Sequence, residues 1–114
     1  MGQTNVRGKG ASSDVTLVPV NYEQLTSLSS AAGLTAAKYD GASAAVIQAE
    51  DQNVRWRDDG TDPTASVGMQ LTAGNDIWYT GSFSAIKLIE ETASAKLNVT
   101  YYRPLVSTDL LITS

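Results

Sequence analysis

The chain has 114 residues, of which 42% are hydrophobic and 18% charged, with a net charge of −4. That length fits one domain with a single hydrophobic core, expected to bury roughly 65% of the surface its unfolded form exposes. The sequence holds no cysteine and no histidine, which excludes disulfides and thiolate zinc sites and removes the commonest general base, metal ligand and pH switch.

Residues 1–20 read as an extended N-terminal arm. Met1 to Asp14 is rich in Gly, Ser, Thr and Asn with a single valine, too little apolar surface to offset the entropy of ordering. The stretch lacks the charged segment and apolar run of a secretory signal, so folding in a cytoplasm is expected. Arg7 and Lys9 make a small basic pair, too sparse for a phosphate backbone, and no nucleic-acid partner is expected. No stretch approaches the ~20 apolar residues of a membrane span, so no membrane partner is expected either. Val15-Thr16-Leu17-Val18-Pro19-Val20 has the period-2 spacing of an extended segment. Pro19 cannot donate to a ladder, which places the segment at a sheet edge or on a neighbour.

Residues 21–103 read as the folded domain. Asn21 to Ser30 fits a strand, although Tyr22, Leu25 and Leu28 recur at a spacing of three that also suits a short helix. Ala31 to Ala37 is alanine-rich but short and interrupted by Gly33, and reads as a loop or single turn. From residue 44 the alternation is regular. Ala45, Ile47 and Ala49 are expected to face inward, followed by Val54 and Trp56, and then by Val67, Met69 and Leu71. Asp58-Asp59-Gly60-Thr61-Asp62-Pro63-Thr64 is a dense turn between the last two of these strands. Ala73-Gly74-Asn75-Asp76 turns into a strand over Ile77–Thr80, and Gly81-Ser82 turns again before Ala85–Ile89. In the last clear strand Ala95, Leu97, Val99 and Tyr101 face one way while Lys96, Asn98, Thr100 and Tyr102 face the other.

Short strands every 8 to 12 residues, separated by Gly, Pro, Asn and Asp turns, predict an all-β fold. The expectation is an antiparallel β-sandwich or barrel, jelly-roll-like, with the N-terminal arm and a C-terminal tail over residues 104–114. That tail, Leu105-Val106-Ser107-Thr108-Asp109-Leu110-Leu111-Ile112 after Pro104, is apolar. It is either a final strand of the same sheet or an arm that adds to a neighbouring subunit.

The residue types for catalysis are sparse. Without histidine the serines and threonines lack their usual activating base, and no Gly-x-Ser-x-Gly elbow occurs. Gly8-Lys9-Gly10 misses the phosphate-loop pattern at Gln3 and Gly10. Asp58, Asp59 and Asp62 depart from EF-hand spacing and read as a solvated turn before a cation site. Glu50 and Asp51 are adjacent, so a strand points them to opposite faces. Asn98-Val99-Thr100 matches a glycosylation triplet, but within a strand and without a secretion signal it reads as chance. No enzyme activity, cofactor or metal is expected. The aromatic residues Trp56, Trp78, Tyr79, Tyr101 and Tyr102 are expected to divide between core and surface, with accessible rings suited to interfaces. Arg55 and Arg57 project opposite Trp56, either pairing with acids across the sheet or anchoring a partner's carboxylates.

The run Gln52-Asn53-Val54-Arg55-Trp56-Arg57-Asp58-Asp59-Gly60-Thr61-Asp62-Pro63-Thr64-Ala65-Ser66-Val67-Gly68-Met69 resembles a segment of small proteins encoded in tailed-phage structural modules. Asn75 to Tyr79, Gly81 with Ser84-Ala85-Ile86, and Leu97-Asn98-Val99-Thr100-Tyr101-Tyr102 continue the pattern, so the resemblance covers roughly residues 44 to 102. It implies a virion protein of capsid decoration (cement) or head-fibre-base type, assembled in the host cytoplasm. Its partners would be the major capsid protein or other virion subunits, and it would form a homo-oligomer, a trimer in the first instance. A neck, collar or tail component is the alternative, and a carbohydrate-binding β-sandwich module with Trp78 or Tyr102 stacked on sugar is a second. The residues expected at a protein interface are Arg7, Lys9, Val15, Leu17, Arg55, Arg57, Trp78, Tyr102, Leu105, Leu110 and Ile112.

Overall fold

Alternation of apolar and polar side chains settles each segment into a strand with one covered face. The structure, a computed structural model, describes residues 16–105. Its strands are β1 (Leu17–Leu25), β2 (Ala32–Gly33), β3 (Ala44–Glu50), β4 (Val54–Arg57), β5 (Met69–Leu71), β6 (Asp76–Tyr79), β7 (Lys87–Glu90) and β8 (Lys96–Pro104), with one short helix, α1 (Ala36–Tyr39).

Each strand pairs antiparallel with its counterpart counted from the other end of the series: β1 with β8, β2 with β7, β3 with β6 and β4 with β5. The chain thus forms one long hairpin. Further pairing of β3 with β8 and of β4 with β7 rolls it into two four-stranded sheets, ordered β1-β8-β3-β6 and β2-β7-β4-β5. This is the connectivity of a double-sheet jelly roll. The sheets remain a sandwich, so the barrel alternative is set aside.

The core lies between the sheets. Ala45, Ile47 and Ala49 of β3 and Leu97, Val99 and Tyr101 of β8 meet Val54, Leu71 and Leu88 of the opposite sheet, with Leu28, Phe83 and Ile86 from connecting segments. Tyr39, Phe83, Tyr79 and Trp56 form a chain of ring contacts at centroid distances of 5.4 to 6.0 Å, and Phe83 also meets Tyr101 edge-on at 5.6 Å. Such tilted and edge-on pairs suit the ring quadrupoles.

Four sequence expectations change. Of Val67, Met69 and Leu71, only Leu71 is buried, while Val67 and Met69 are 51% and 61% exposed. Val67 is used in a tight turn, exchanging backbone hydrogen bonds with Thr64 at 2.9 and 3.2 Å, and Met69 sits on the short edge strand β5. The N-terminal arm ends earlier than residue 20, because Leu17–Val20 belong to β1 and pair with β8 across a bulge between Pro19 and Asn21. At the other end Pro104, assigned to the tail, closes β8 opposite Leu17. Ala31–Ala37 carries β2 and the start of α1.

Among the described residues, one acidic side chain enters the core. Glu23, on the inner face of β1, is buried to 9% exposure. It accepts hydrogen bonds from the Thr35 backbone N–H at 3.1 Å, the Thr35 hydroxyl at 2.6 Å and the Tyr101 hydroxyl at 2.5 Å. The arrangement ties the first strand, the entry to α1 and the last strand to one carboxylate. Burial, reinforced by this bond to Glu23, pushes the Tyr101 phenol well above its ordinary pKa. Tyr101→Phe keeps the ring but removes one donor from Glu23, and is expected to cost about 1–3 kcal/mol. Urea unfolding should show a lower midpoint with an unchanged slope.

Candidate binding face

The polar positions of β1, β8, β3 and β6 share the outer face of the first sheet, and the register sorts them into rows. Leu17 lies opposite Pro104; Pro19, Tyr102 and Ala44 form the next row; Tyr22, Thr100, Val46 and Trp78 follow; Gln24, Asn98, Gln48 and Asp76 come last before Lys96 opposite Glu50. The face is therefore apolar and aromatic at one end and polar at the other.

At the aromatic end Trp78 and Tyr22 are each 52% exposed, and Leu17 and Leu105 each 36%. Trp78 meets Tyr102 with ring centroids 5.8 Å apart and planes inclined at 44°. Ala44, the cross-strand partner of Tyr102, is only 3% exposed despite its outward position. Both ends of the described chain lie at this corner, since the Leu105 N–H donates to the Thr16 carbonyl at 2.8 Å.

At the polar end Asn98 is the hub. Its carbonyl accepts from the Tyr22 hydroxyl at 2.6 Å and from Gln24 Nε2 at 2.9 Å, and its amide donates to Gln48 Oε1 at 3.1 Å and Glu50 Oε1 at 2.8 Å. All four hydrogen-bonding positions of the Asn98 side chain are thereby used. Three strands are stitched together on the solvent side.

The expected interface residues distribute unevenly. Leu17, Tyr102 and Leu105 lie at the corner where Thr16 and Leu105 meet, whereas Trp78 stands on the opposite edge strand, β6, and meets this group only through the Tyr102 ring. Arg7, Lys9, Val15, Leu110 and Ile112 lie outside the described residues. Arg55 and Arg57 are on the other sheet, and each is engaged with an acid. Arg55 Nε bonds Glu91 Oε2 at 2.6 Å while its Nη1 donates to the Gly68 carbonyl at 3.0 Å. Arg57 grips Asp59 through Nε at 3.0 Å and Nη2 at 2.6 Å. Cross-strand pairing within one sheet describes Arg55, and a local turn contact describes Arg57.

Beside Arg57 lies an open cavity of about 580 Å³, lined by Trp56, Arg57, Asp58, Asp59, Val67, Gly68 and Met69. Gly68 has φ +142°, and a Cβ there would come within 3.1 Å of the Trp56 carbonyl oxygen and 3.2 Å of Pro63 Cβ. The loop can lie this close to β4 because no side chain intervenes. The acids of the loop have separate tasks: Asp58 accepts from the Tyr79 hydroxyl at 2.8 Å and Asp59 holds Arg57. Among the described residues no three acidic side chains converge as a metal site would require.

Sequence reasoning singled out Trp78 and Tyr102 as accessible rings, and did not single out Tyr22, Gln24, Gln48 or Asn98, which share their face. The alternation of β3 and β8 did phase Gln48 and Asn98 outward. Their meeting with Tyr22 depends on the β1–β8 register, which spacing within one strand does not carry. No family model, no curated protein and no solved structure matches the chain.

The Gln70 amide and the Arg55 guanidinium, opposed by partial desolvation, hold the Glu91 carboxyl below the usual carboxylate range. A carboxyl whose pKa is lowered by folding stabilises the fold above its unfolded value of about 4.3, and that contribution is lost as pH falls through the folded value. Glu91→Gln should therefore be less stable than the parent at pH 7, with the gap closing in acid. Urea midpoints from pH 7 to pH 3 test this, and a pH-independent gap would count against it.

Proposed function

We propose that this chain is a non-enzymatic structural protein of a tailed-phage virion, a capsid decoration protein that binds the major capsid protein and stabilises the head. The observation that carries the reading is the corner where Thr16 and Leu105 are joined by a backbone hydrogen bond next to exposed Leu17 and the Tyr102 ring. Thr16 and Leu105, the first and last described residues, are therefore neighbours, with an apolar surface beside them, and the sequence continues from them as residues 1–15 and 106–114. Extended segments give affinity through backbone pairing and specificity through alternate side chains, and rings at their base supply rigid anchoring area. Repetition over a shell lets individually weak contacts suffice.

Two further features support the reading. The sequence around Trp56 resembles small proteins of phage structural modules, and the jelly roll is an architecture that viral capsid domains use, although lectins and other families use it as well. A binding protein also has no need of the base that the histidine-free sequence lacks.

Particles assembled without the protein should form but lose resistance to heat or chelation, and adding purified chain should restore it. Leu105→Asp should weaken that restoration by at least about tenfold in the concentration required. Unchanged stability of the depleted particles would overturn the decoration reading. Electron microscopy of labelled particles showing a single ring at the vertex, in place of copies over the shell, would move the protein to the neck.

A further inference from the structure

We propose that the polar end of the outer sheet face, together with Trp78, is a binding site for a neutral saccharide. The inference is independent of the virion reading. It concerns the rows beyond the corner formed by Thr16 and Leu105.

Sugar recognition needs an apolar plate for the CH face of a ring and, at its margin, groups that can both donate to and accept from hydroxyls. Trp78 supplies the plate, half-exposed at the edge of the sheet and braced from one side by Tyr102. The margin is the neighbouring row, about 6–7 Å away along the strands. There Gln48 stands opposite Asp76, and Asn98 stands between Gln48 and Gln24.

These groups are held in place and still have capacity. Asn98 fixes Gln24, Gln48 and Glu50 by one bond each. Among the described residues, no partner takes the Gln48 Nε2 hydrogens, the Gln24 carbonyl or Glu50 Oε2. The side chains thus present fixed donors and acceptors to solvent, with their ordering cost already met by the fold. Hydroxyls that both donate and accept can replace the water on such a surface. A flat protein partner would strand these groups unless it matched each one.

Charge narrows the ligand. Glu50 and Asp76 are acidic, and the one lysine of these rows, Lys96, is paired with Asp51 at 3.3 Å. Sialylated or sulfated sugars would meet repulsion here, so the site is assigned to uncharged hexose units.

The test uses the purified full chain against immobilised neutral oligosaccharides of gluco, manno and galacto configuration, with sialylated and sulfated glycans as controls. Binding to at least one neutral series is expected. Affinity should fall at least about tenfold in Trp78→Ala and in Gln48→Ala, with partial recovery in Trp78→Phe, while Leu105→Asp at the opposite corner should bind as the parent does. Circular dichroism and thermal midpoints check that the variants fold. Sugar binding should also alter tryptophan emission, and that change should vanish in Trp78→Ala, which keeps Trp56. No neutral glycan bound, binding of anionic glycans alone, or unaltered affinity in Trp78→Ala would each overturn the proposal. So would loss of particle attachment in Trp78→Ala without any glycan binding, which would make this face a protein interface.

Discussion

The register of β8 between β1 and β3 is the constraint on which the rest of the molecule rests. On the inner side Tyr101 reaches Glu23, and on the outer side Asn98 reaches Tyr22, Gln24, Gln48 and Glu50. A slip of one residue would exchange the two faces of β8, placing Asn98 among the core side chains and Tyr101 in water. The two polar locks sit on opposite sides of one strand, so each excludes the slipped pairing that would break the other. The Pro19–Asn21 bulge takes up the one irregularity in β1 and keeps both locks aligned.

Electrostatics in this fold serve position more than net attraction. The Arg55–Glu91 pair is partly exposed, and pairs of that kind contribute modestly to stability. Its geometric effect is larger: Arg55 also reaches the Gly68 carbonyl and Gln70 also reaches Glu91, so one small network spans β4, β5 and the residue after β7. This network secures a three-residue edge strand that has little apolar surface of its own to hold it.

Much of the fold is legible in the sequence where alternation is long and one-sided. β3 and β8 follow their spacing, and every residue expected inward there, Ala45, Ile47, Ala49, Ala95, Leu97, Val99 and Tyr101, is buried. Pro19 correctly marked an edge strand. Legibility fails where tertiary demands outrank the local pattern. Val67 has the right spacing for a strand, but the chain needs its backbone for a turn. Glu23 looks like a surface residue, yet its partners stand 12 and 78 residues further along the chain. The candidate face suffers the same limit. Its rings and amides come from separate strands, so only pairing partners, which a single sequence does not reveal, bring them together.

The place of β8 also bears on how the molecule is made. The final strand of the described chain is an interior strand of its sheet, flanked by the first strand on one side and β3 on the other. During synthesis β1 therefore has no partner until residues 96–104 have left the ribosome, and its Glu23 must wait in water for Tyr101. A topology dominated by such distant pairings folds slowly and leaves unpaired edges exposed meanwhile. The nascent chain resembles an unzipped garment whose fastener is sewn in last, and the strand order itself sets how long the edge of β1 stays open.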